Sequence, residues 1–252
     1  IQRLVGSEMC IRDRLSSLSR KYIMAFSGLF LILFLTQHMT INLLSVVDSL
    51  RLNVFGAEES NLFNQAAYFM GNNPVVQFAL QPVLIAGFMI HMVMAFVLQA
   101  KNAAARPDSY QYGNKARAYN WASMNMLITG GVVIGFLGLH FYDFWIPEIT
   151  AKYVTGKAHI GDGPATEAIL ADVNRFYPEL VHRMKYPWRV AIYCGSFVLL
   201  GLHLNHGFQS SFQTTGVSQG KYVEGIKKAS TAFAVIVPLM FIVVALVHFF
   251  IS

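Results

Sequence analysis

Five stretches of the chain are apolar almost throughout, and each is long enough to cross a bilayer as a helix. A transmembrane helix needs about 20 apolar residues, and backbone groups in hydrocarbon must be satisfied within the segment. The five predicted spans cover approximately residues 22–47, 75–99, 121–145, 187–209 and 229–251. The pattern predicts an all-α integral membrane bundle of five transmembrane helices.

The segments outside these spans differ in character. The first fourteen residues, IQRLVGSEMCIRDR, resemble nothing that follows, and we interpret 1–14 as a non-native leader and 15–252 as the membrane domain. The longest connection, residues 146–186, contains Pro178 and ends at Pro187, both of which we interpret as breaks. We expect a short helix around residues 165–176.

Composition and charge agree with a membrane protein: hydrophobic residues make up 55% of the chain and charged residues 13%. Positive charges mark cytoplasmic segments, so the N-terminus is predicted to be cytoplasmic and the C-terminus external. No nucleic-acid motif is present, and the absence of a CxxCH sequence excludes a covalently attached c-type haem. The basic residues behind this orientation are Arg20, Lys21, Lys101, Arg106, Lys115, Arg117, Lys221, Lys227 and Lys228.

Four of the eight histidines lie in four different spans and form two pairs at matched depth. His38 and His140 fall in the outer part of two outward-running spans, whereas His91 and His203 fall in the inner part of two inward-running spans. Two histidines facing each other at equal depth are the axial ligands that a bis-histidine haem b requires. We therefore expect four helices to enclose two haems, one held by His38 and His140 and the other by His91 and His203.

Other interpretations of these histidines exist. A single histidine in a span is more often an interhelical hydrogen-bonding residue, and glycines such as Gly131 and Gly135 are commonly packing sites. A transporter with a histidine proton relay would show broken helices and internal repeats. Pro82 and Pro238 interrupt spans, but we find no internal similarity between the halves. Near the histidines, Gly87, Gly135, Gly138 and Gly201 would leave bare backbone for a porphyrin face.

The segments around the four histidines carry a family resemblance. They read TQHMTINLL, GFMIHMVMAFVLQAKN, GLHFYDFW and LHLNHGFQSSFQTTG. From Leu15 to Ile251 the chain resembles the single-subunit, dihaem cytochrome b anchor of a bacterial succinate dehydrogenase or fumarate reductase. In this family a glycine and a bulky apolar residue follow the fourth ligand at the spacing of Gly207 and Phe208 from His203. The resemblance therefore implies His203 as the ligand, with His206 as the alternative.

The resemblance also implies partners and a place in the cell. The chain would lie in the bacterial cytoplasmic (inner) membrane and anchor a flavoprotein subunit and an iron–sulfur subunit on the cytoplasmic side. It would relay electrons between the iron–sulfur subunit and membrane quinone in the respiratory chain, with menaquinone favoured over ubiquinone. The chain would contribute the quinone site, whereas the chemistry of succinate belongs to its partner.

Quinone chemistry couples electrons to protons, so ionisable groups near the outer haem are of interest. Glu58 and Glu59 are the candidates, with a solvated loop carboxylate as the alternative role for each. His159, His182 and His248 are further candidates. The cations placed to reach haem propionates are Arg20, Lys101 and Arg189.

Two related functions would use a similar bundle. The cytochrome b anchor of a hydrogenase or formate dehydrogenase is also a bis-histidine helical bundle, so the histidines cannot separate it from the succinate dehydrogenase family. A purely structural anchor without haem is the other alternative, but retention of all four histidines argues against it.

Overall fold

The computed structural model describes residues 16–56, 62–104, 126–159, 163–218, 220 and 222–251. Within these residues the backbone is almost entirely helical, and the β-type pairing is one isolated bridge between Ala158 and Thr166. The helices are α1 (Ser17–Asn53), α2 (Leu62–Asn72), α3 (Val76–Ala104), α4 (Met126–Thr155), α5 (Ala168–Ala171), α6 (Phe176–Met184), α7 (Pro187–Thr214) and α8 (Tyr222–Phe250).

The predicted all-α fold with five membrane-spanning helices is confirmed. In the described part of the chain, α1, α3, α4, α7 and α8 are long and apolar enough to cross a membrane. Each extends past at least one of its predicted limits, and α4 continues beyond residue 145 to Thr155. Residues 121–125, where the third span was predicted to begin, lie outside the described residues.

The connection between α4 and α7 differs from the prediction. Residues 165–176 form only α5 and a 3-10 turn, Val173–Arg175, and the longer helix of this segment is α6. Pro178 lies in the first turn of α6, and Pro187 begins α7 after the break at residues 185–186. Proline is tolerated there because the first N–H groups of a helix have no intrahelical acceptor. Helix α2 was not predicted at all.

Prolines inside the spans account for one π-helical turn in α3 and one in α4; a second turn of this kind in α4, Ala151–Thr155, is followed by Gly156 and not by a proline. Pro82 follows a π-helical turn at Val76–Leu80, and Pro147 follows one at Phe141–Trp145. A proline lacks an N–H donor and its ring clashes with the carbonyl four residues earlier, which in both helices belongs to the π turn. The widened turn keeps each helix continuous past its proline.

Consecutive spans are antiparallel, and α1 and α8 lie side by side in the same direction. We call the side on which α1 begins the N-side and the opposite side, where α8 ends, the C-side. The buried core lies among α2, α6, α7 and α8, and includes Phe63, Tyr177, Leu180, Met184, Val190, Tyr193, Phe197, Val237, Phe241 and Ala245. By contrast, α3 has no fully buried residue along its described length. The bundle is therefore more deeply buried along α7 and α8 than along α3, which packs against α1.

Helices α7 and α8 make close backbone contact at Gly201. Pro238 leaves the carbonyl of Ala234 without its helical donor, and a Cβ built on Gly201 would lie 2.8 Å from that carbonyl oxygen. A glycine is required here because no side chain fits between the two backbones.

We expect Gly201→Ala to lower the free energy of unfolding by about 1–3 kcal/mol, because the helices must separate to admit the methyl group. Thermal unfolding of the purified protein in detergent measures the effect. Gly195→Ala is the matched control in the same helix, since its Cβ would meet no atom within 4 Å. Equal stability of the two variants would contradict the close contact.

Candidate functional site

A cavity of about 1940 Å³ extends along the inside of the bundle. Pockets for a single small ligand have volumes of about 300–1,000 Å³, so this space is large enough for more than one such ligand. Its lining is mostly apolar and comes from all five spans. The four histidines predicted as haem ligands line this cavity, as does the alternative ligand: His38, His91, His140, His203 and His206.

His38 of α1 and His140 of α4 face each other towards the C-side. Their ring centres are 5.7 Å apart and the ring planes are nearly perpendicular, at 82°. Each imidazole stacks on a phenylalanine one turn earlier in its own helix: Phe34 lies 5.5 Å from His38, and Phe136 lies 5.8 Å from His140. Among the described residues, the buried Nδ1 of His140 has no hydrogen-bond partner.

His91 of α3 and His203 of α7 form the second facing pair, nearer the N-side. Their ring centres are 6.4 Å apart, with an interplanar angle of 69°. A hydroxyl group lies beside Nδ1 of each ring: Oγ of Ser27 is 3.2 Å from His91, and Oγ1 of Thr129 is 3.4 Å from His203. In each ring, Nδ1 therefore lies within hydrogen-bonding distance of a hydroxyl group, while the two rings face one another.

The separations within both pairs match two imidazoles on opposite sides of one metal ion. An imidazole nitrogen binds a first-row metal at about 2.0 Å and lies about 1.1 Å from its own ring centre, so opposed rings have centres about 6 Å apart. Among the described residues, no group of three or more His, Cys, Asp or Glu side chains could hold a metal ion alone. Two opposed imidazoles leave the positions around the metal between them free, and a porphyrin supplies four nitrogen ligands in that plane.

His203 and His206 are both at the cavity, but they are placed differently. The ring contact with His91 is made by His203, and no contact of this kind joins His91 to His206 in the described structure. The geometry therefore pairs His91 with the residue that the sequence favoured.

The glycines named from the sequence do not lie where a porphyrin face was expected. Gly87 lies against Phe30 and Gly201 against Ala234, so both serve helix packing. Cβ positions on Gly131, Gly135 and Gly138 would meet nothing within 4 Å, which also excludes a packed GxxxG contact between Gly131 and Gly135. The glycines that line the cavity within the spans are Gly28, Gly130, Gly131 and Gly207.

The positions around the cavity show a short internal repeat that the sequence analysis did not identify. The same spacing of four residues occurs in α1 and in α4: Ser27, Gly28, Phe34 and His38 correspond to Thr129, Gly130, Phe136 and His140. In α3 and α7, a small residue and a phenylalanine follow the histidine at equal spacing, Ala95 and Phe96 after His91 and Gly207 and Phe208 after His203. The pair α1 and α3 therefore corresponds to the pair α4 and α7.

Asp143 is a functional candidate that the sequence analysis missed. It is fully buried, with Oδ1 3.1 Å from Nε of Arg189, while Oδ2 accepts a hydrogen bond of 3.0 Å from the hydroxyl group of Tyr193. The ring of Tyr193 lies 6.4 Å from that of His140. Arg189, one of the three cations placed to reach a haem propionate, pairs with this carboxylate. A lone aspartate inside a predicted span is a signal that could have identified the site.

Carboxylates other than the predicted ones line the C-side end of the cavity. Glu58 and Glu59 lie outside the described residues. Glu148 of α4 lines the cavity, and its Oε1 lies 2.6 Å from both Nζ of Lys152 and a terminal nitrogen of Arg175. Glu148 thus joins α4 to the segment before α6 at the edge of the cavity.

The remaining candidates from the sequence lie in varied surroundings. His159 lines the cavity and its Nδ1 is 2.8 Å from the carbonyl oxygen of Gly163, whereas His182 packs edge-on against Tyr186. His248 is fully buried beside Ser45, with 2.8 Å between Nε2 and Oγ, and does not line the cavity. Of the N-side cations, Lys21 lines the cavity but Arg20 and Lys101 do not.

Comparison of the chain with protein-family models, with curated proteins and with solved structures finds no match. The chemical interpretation of the cavity therefore depends on the residues that line it.

We expect Asp143→Ala to lower the free energy of unfolding by about 3–5 kcal/mol, because the guanidinium group of Arg189 loses its partner inside the bundle. Thermal unfolding in detergent measures the loss. Glu224→Ala is the matched control: Glu224 pairs with Lys228 at 2.8 Å, but both side chains are more than three-quarters exposed. The control should change stability by less than about 1 kcal/mol. Equal losses in both variants would show that the buried pair contributes no more to the free energy of unfolding than the exposed pair does.

Proposed function

We propose that this chain is a dihaem cytochrome b that anchors a succinate dehydrogenase or fumarate reductase to the membrane and relays electrons between its iron–sulfur subunit and quinone. The observation that carries the proposal is the arrangement of four histidines as two facing pairs inside one cavity. His38 and His140 would hold one haem, and His91 and His203 the other.

A haem with two histidine ligands supplies one-electron oxidation and reduction without binding substrate at its iron, since both axial positions are occupied. The chain would provide the surroundings of that chemistry. Phe34 and Phe136 fix the rings of His38 and His140 and exclude water, and apolar side chains surround most of the cavity. Two such sites in one cavity, nearer opposite sides of the bundle, would make a relay along the membrane normal.

The remaining parts of the proposal concern partners and quinone. The flavoprotein and iron–sulfur subunits would dock on the N-side, which the positive residues indicate to be cytoplasmic in the bacterial inner membrane. Quinone, with menaquinone favoured, would react near the C-side end of the cavity. Glu148 lines this end and joins Glu58 and Glu59 as a candidate for proton exchange.

A histidine-relay transporter is the second candidate, and the internal repeat favours it because repeats in the same orientation occur in transporters. Two features favour the cytochrome. The irregular turns of α3 and α4 leave the helices continuous, and the facing rings have the separation of axial ligands. Anchors of hydrogenase or formate dehydrogenase share these features, so the subunits that co-purify with the chain would separate them from the proposed anchor.

We expect the purified wild-type chain to bind two b-type haems, measured as a pyridine haemochrome and as a reduced-minus-oxidised visible spectrum. His203→Ala should lose one haem because the iron loses an axial ligand, whereas His206→Ala should retain both. His38→Ala should also lose one haem, and its spectrum should differ from that of His203→Ala because a different site is emptied.

His248→Ala is a further control for these variants, because His248 is buried but does not line the cavity. It should retain both haems. A correctly inserted wild-type chain with no haem would contradict the proposal and leave the transporter or a bare anchor. Loss of a haem in His206→Ala but not in His203→Ala would show that His206, and not His203, is the ligand.

We expect the segment between α7 and α8, on the N-side, to be cytoplasmic, because positive charges concentrate on that side. The segment between α4 and α5, on the C-side, should be external. Single cysteines, Ser218→Cys and Gly163→Cys, can be introduced after Cys10→Ser and Cys194→Ser remove the native thiols. A membrane-impermeant maleimide should label intact cells at residue 163 and should label residue 218 only after permeabilisation. The reverse pattern would place the N-terminus outside.

A further inference from the structure

We propose that Ser27 and Thr129 are positioning residues that hold His91 and His203 with the proton on Nδ1 and with Nε2 facing the gap between the rings. The inference rests on the proposed function, in which Nε2 of both rings binds the iron of one haem. Neither residue belongs to the helix of the histidine that it contacts, and neither was singled out from the sequence.

The hydrogen bonds of Ser27 determine which atom carries the proton on His91. The hydroxyl group has one proton, which it donates to the carbonyl oxygen of Met24 at 3.1 Å. Its oxygen lies 3.2 Å from Nδ1 of His91, and with its own proton engaged on Met24 it is an acceptor for Nδ1. We therefore assign the ring proton to Nδ1, which leaves the lone pair of the neutral ring on Nε2.

The same arrangement recurs on the other side of the gap. Oγ1 of Thr129, which is almost fully buried, donates to the carbonyl oxygen of Met126 at 3.1 Å and lies 3.4 Å from Nδ1 of His203. The separation is longer than for Ser27, but donor, acceptor and direction are the same. Two hydroxyl groups from α1 and α4 thus flank the two imidazoles from α3 and α7.

The glycine after each hydroxyl residue allows the ring to approach. A Cβ built on Gly28 would lie 3.3 Å from Cε1 of His91, and one on Gly130 would lie 3.4 Å from Cε1 of His203. The ring edge therefore packs directly against bare backbone in both helices. This close contact is independent of the hydrogen bonds, and it restrains each ring in the same orientation.

The orientation matters because only a ring nitrogen with a free lone pair can bind a metal. The partner of the other nitrogen fixes the tautomer and raises the electron donation of the ring. Greater donation stabilises ferric over ferrous iron, so each hydroxyl group should lower the reduction potential of the haem between His91 and His203. The rings of His38 and His140 have no such hydroxyl partner among the described contacts, so the effect should be confined to one haem.

The test uses four variants of the full-length chain in lipid bilayers. Ser27→Ala and Thr129→Val remove the acceptors, the second at nearly constant volume, and Thr129→Ser restores a hydroxyl group. Thr40→Val is the matched control, because Thr40 is exposed in α1 and its hydroxyl group donates to its own helix at 2.9 Å from the Thr36 carbonyl.

The first measurement is the nitrogen and proton NMR signal of the Nδ1–H groups after labelling of histidine with ¹⁵N, in the dithionite-reduced protein. We expect hydrogen-bonded Nδ1–H signals for His91 and His203 in wild type, and a shift of the His91 signal in Ser27→Ala and of the His203 signal in Thr129→Val. This measurement does not require bound haem. Wild-type rings protonated on Nε2 would overturn the inference.

The second measurement is a potentiometric titration of both haems. In Ser27→Ala and Thr129→Val, one haem should show about a threefold larger ferrous-to-ferric ratio at a fixed potential, an increase of about 30 mV for a one-electron couple. Thr129→Ser and Thr40→Val should match wild type. Unchanged potentials and unchanged NMR signals in a chain that holds two haems would overturn the inference while leaving the proposed function intact. A chain without haem that keeps both Nδ1–H signals would refute the function but retain the positioning of the rings.

Discussion

An imidazole inside a bundle surrounded by hydrocarbon is stabilised when its nitrogens have polar partners, and the arrangement around His91 and His203 depends on this interaction. For His91 and His203, one nitrogen meets a hydroxyl group from a neighbouring helix, which leaves the other facing the cavity. The neighbouring helix must therefore approach each ring closely at Nδ1, whereas the opposite side of the ring must stay clear of other helices. The cavity and the helix contacts are consequences of one arrangement.

Packing is unequal around the cavity. Helices α7 and α8 make close backbone contact at Gly201 and form much of the buried core, whereas α3 has no fully buried residue in its described part. A bundle packed evenly on all sides would leave no space between the histidines. The close pairing of α7 with α8 thus leaves the cavity on the other side of the bundle, where it is lined by α3, which packs against α1.

Much of this architecture was predictable because it depends on length and position along the chain. The five spans follow from apolar segments of sufficient length, and the depth of each histidine follows from its distance to the end of its span. Contacts between distant residues were not predictable. Ser27 and His91 are 64 positions apart, and Thr129 and His203 are 74 positions apart. A serine or threonine in a span bonds its own helix equally well, so neither residue gave a local signal.

Other errors had local causes. Pro178 was interpreted as a break although it lies in the first turn of α6, where proline is tolerated. Pro187 does mark a break, because it begins α7 directly after the non-helical residues 185–186. Asp143 was not predicted as a site residue, although a carboxylate inside a span is as unusual as a histidine. The repeat was missed because only a few positions recur, and the residues between them are exchanged freely for other apolar side chains.

In both α1 and α4, eleven positions separate the hydroxyl residue, Ser27 or Thr129, from the histidine of the other pair. At 1.5 Å per residue this is about 16 Å along the helix axis, and three turns place both side chains close to the same face. One inserted residue would rotate the histidine by about 100° and direct it away from the cavity. The distance between the two sites therefore cannot change one residue at a time, because only an insertion or deletion of a whole number of turns keeps the histidine facing the cavity. The same change would have to occur in both α1 and α4 for the two histidine pairs to keep their matched depths.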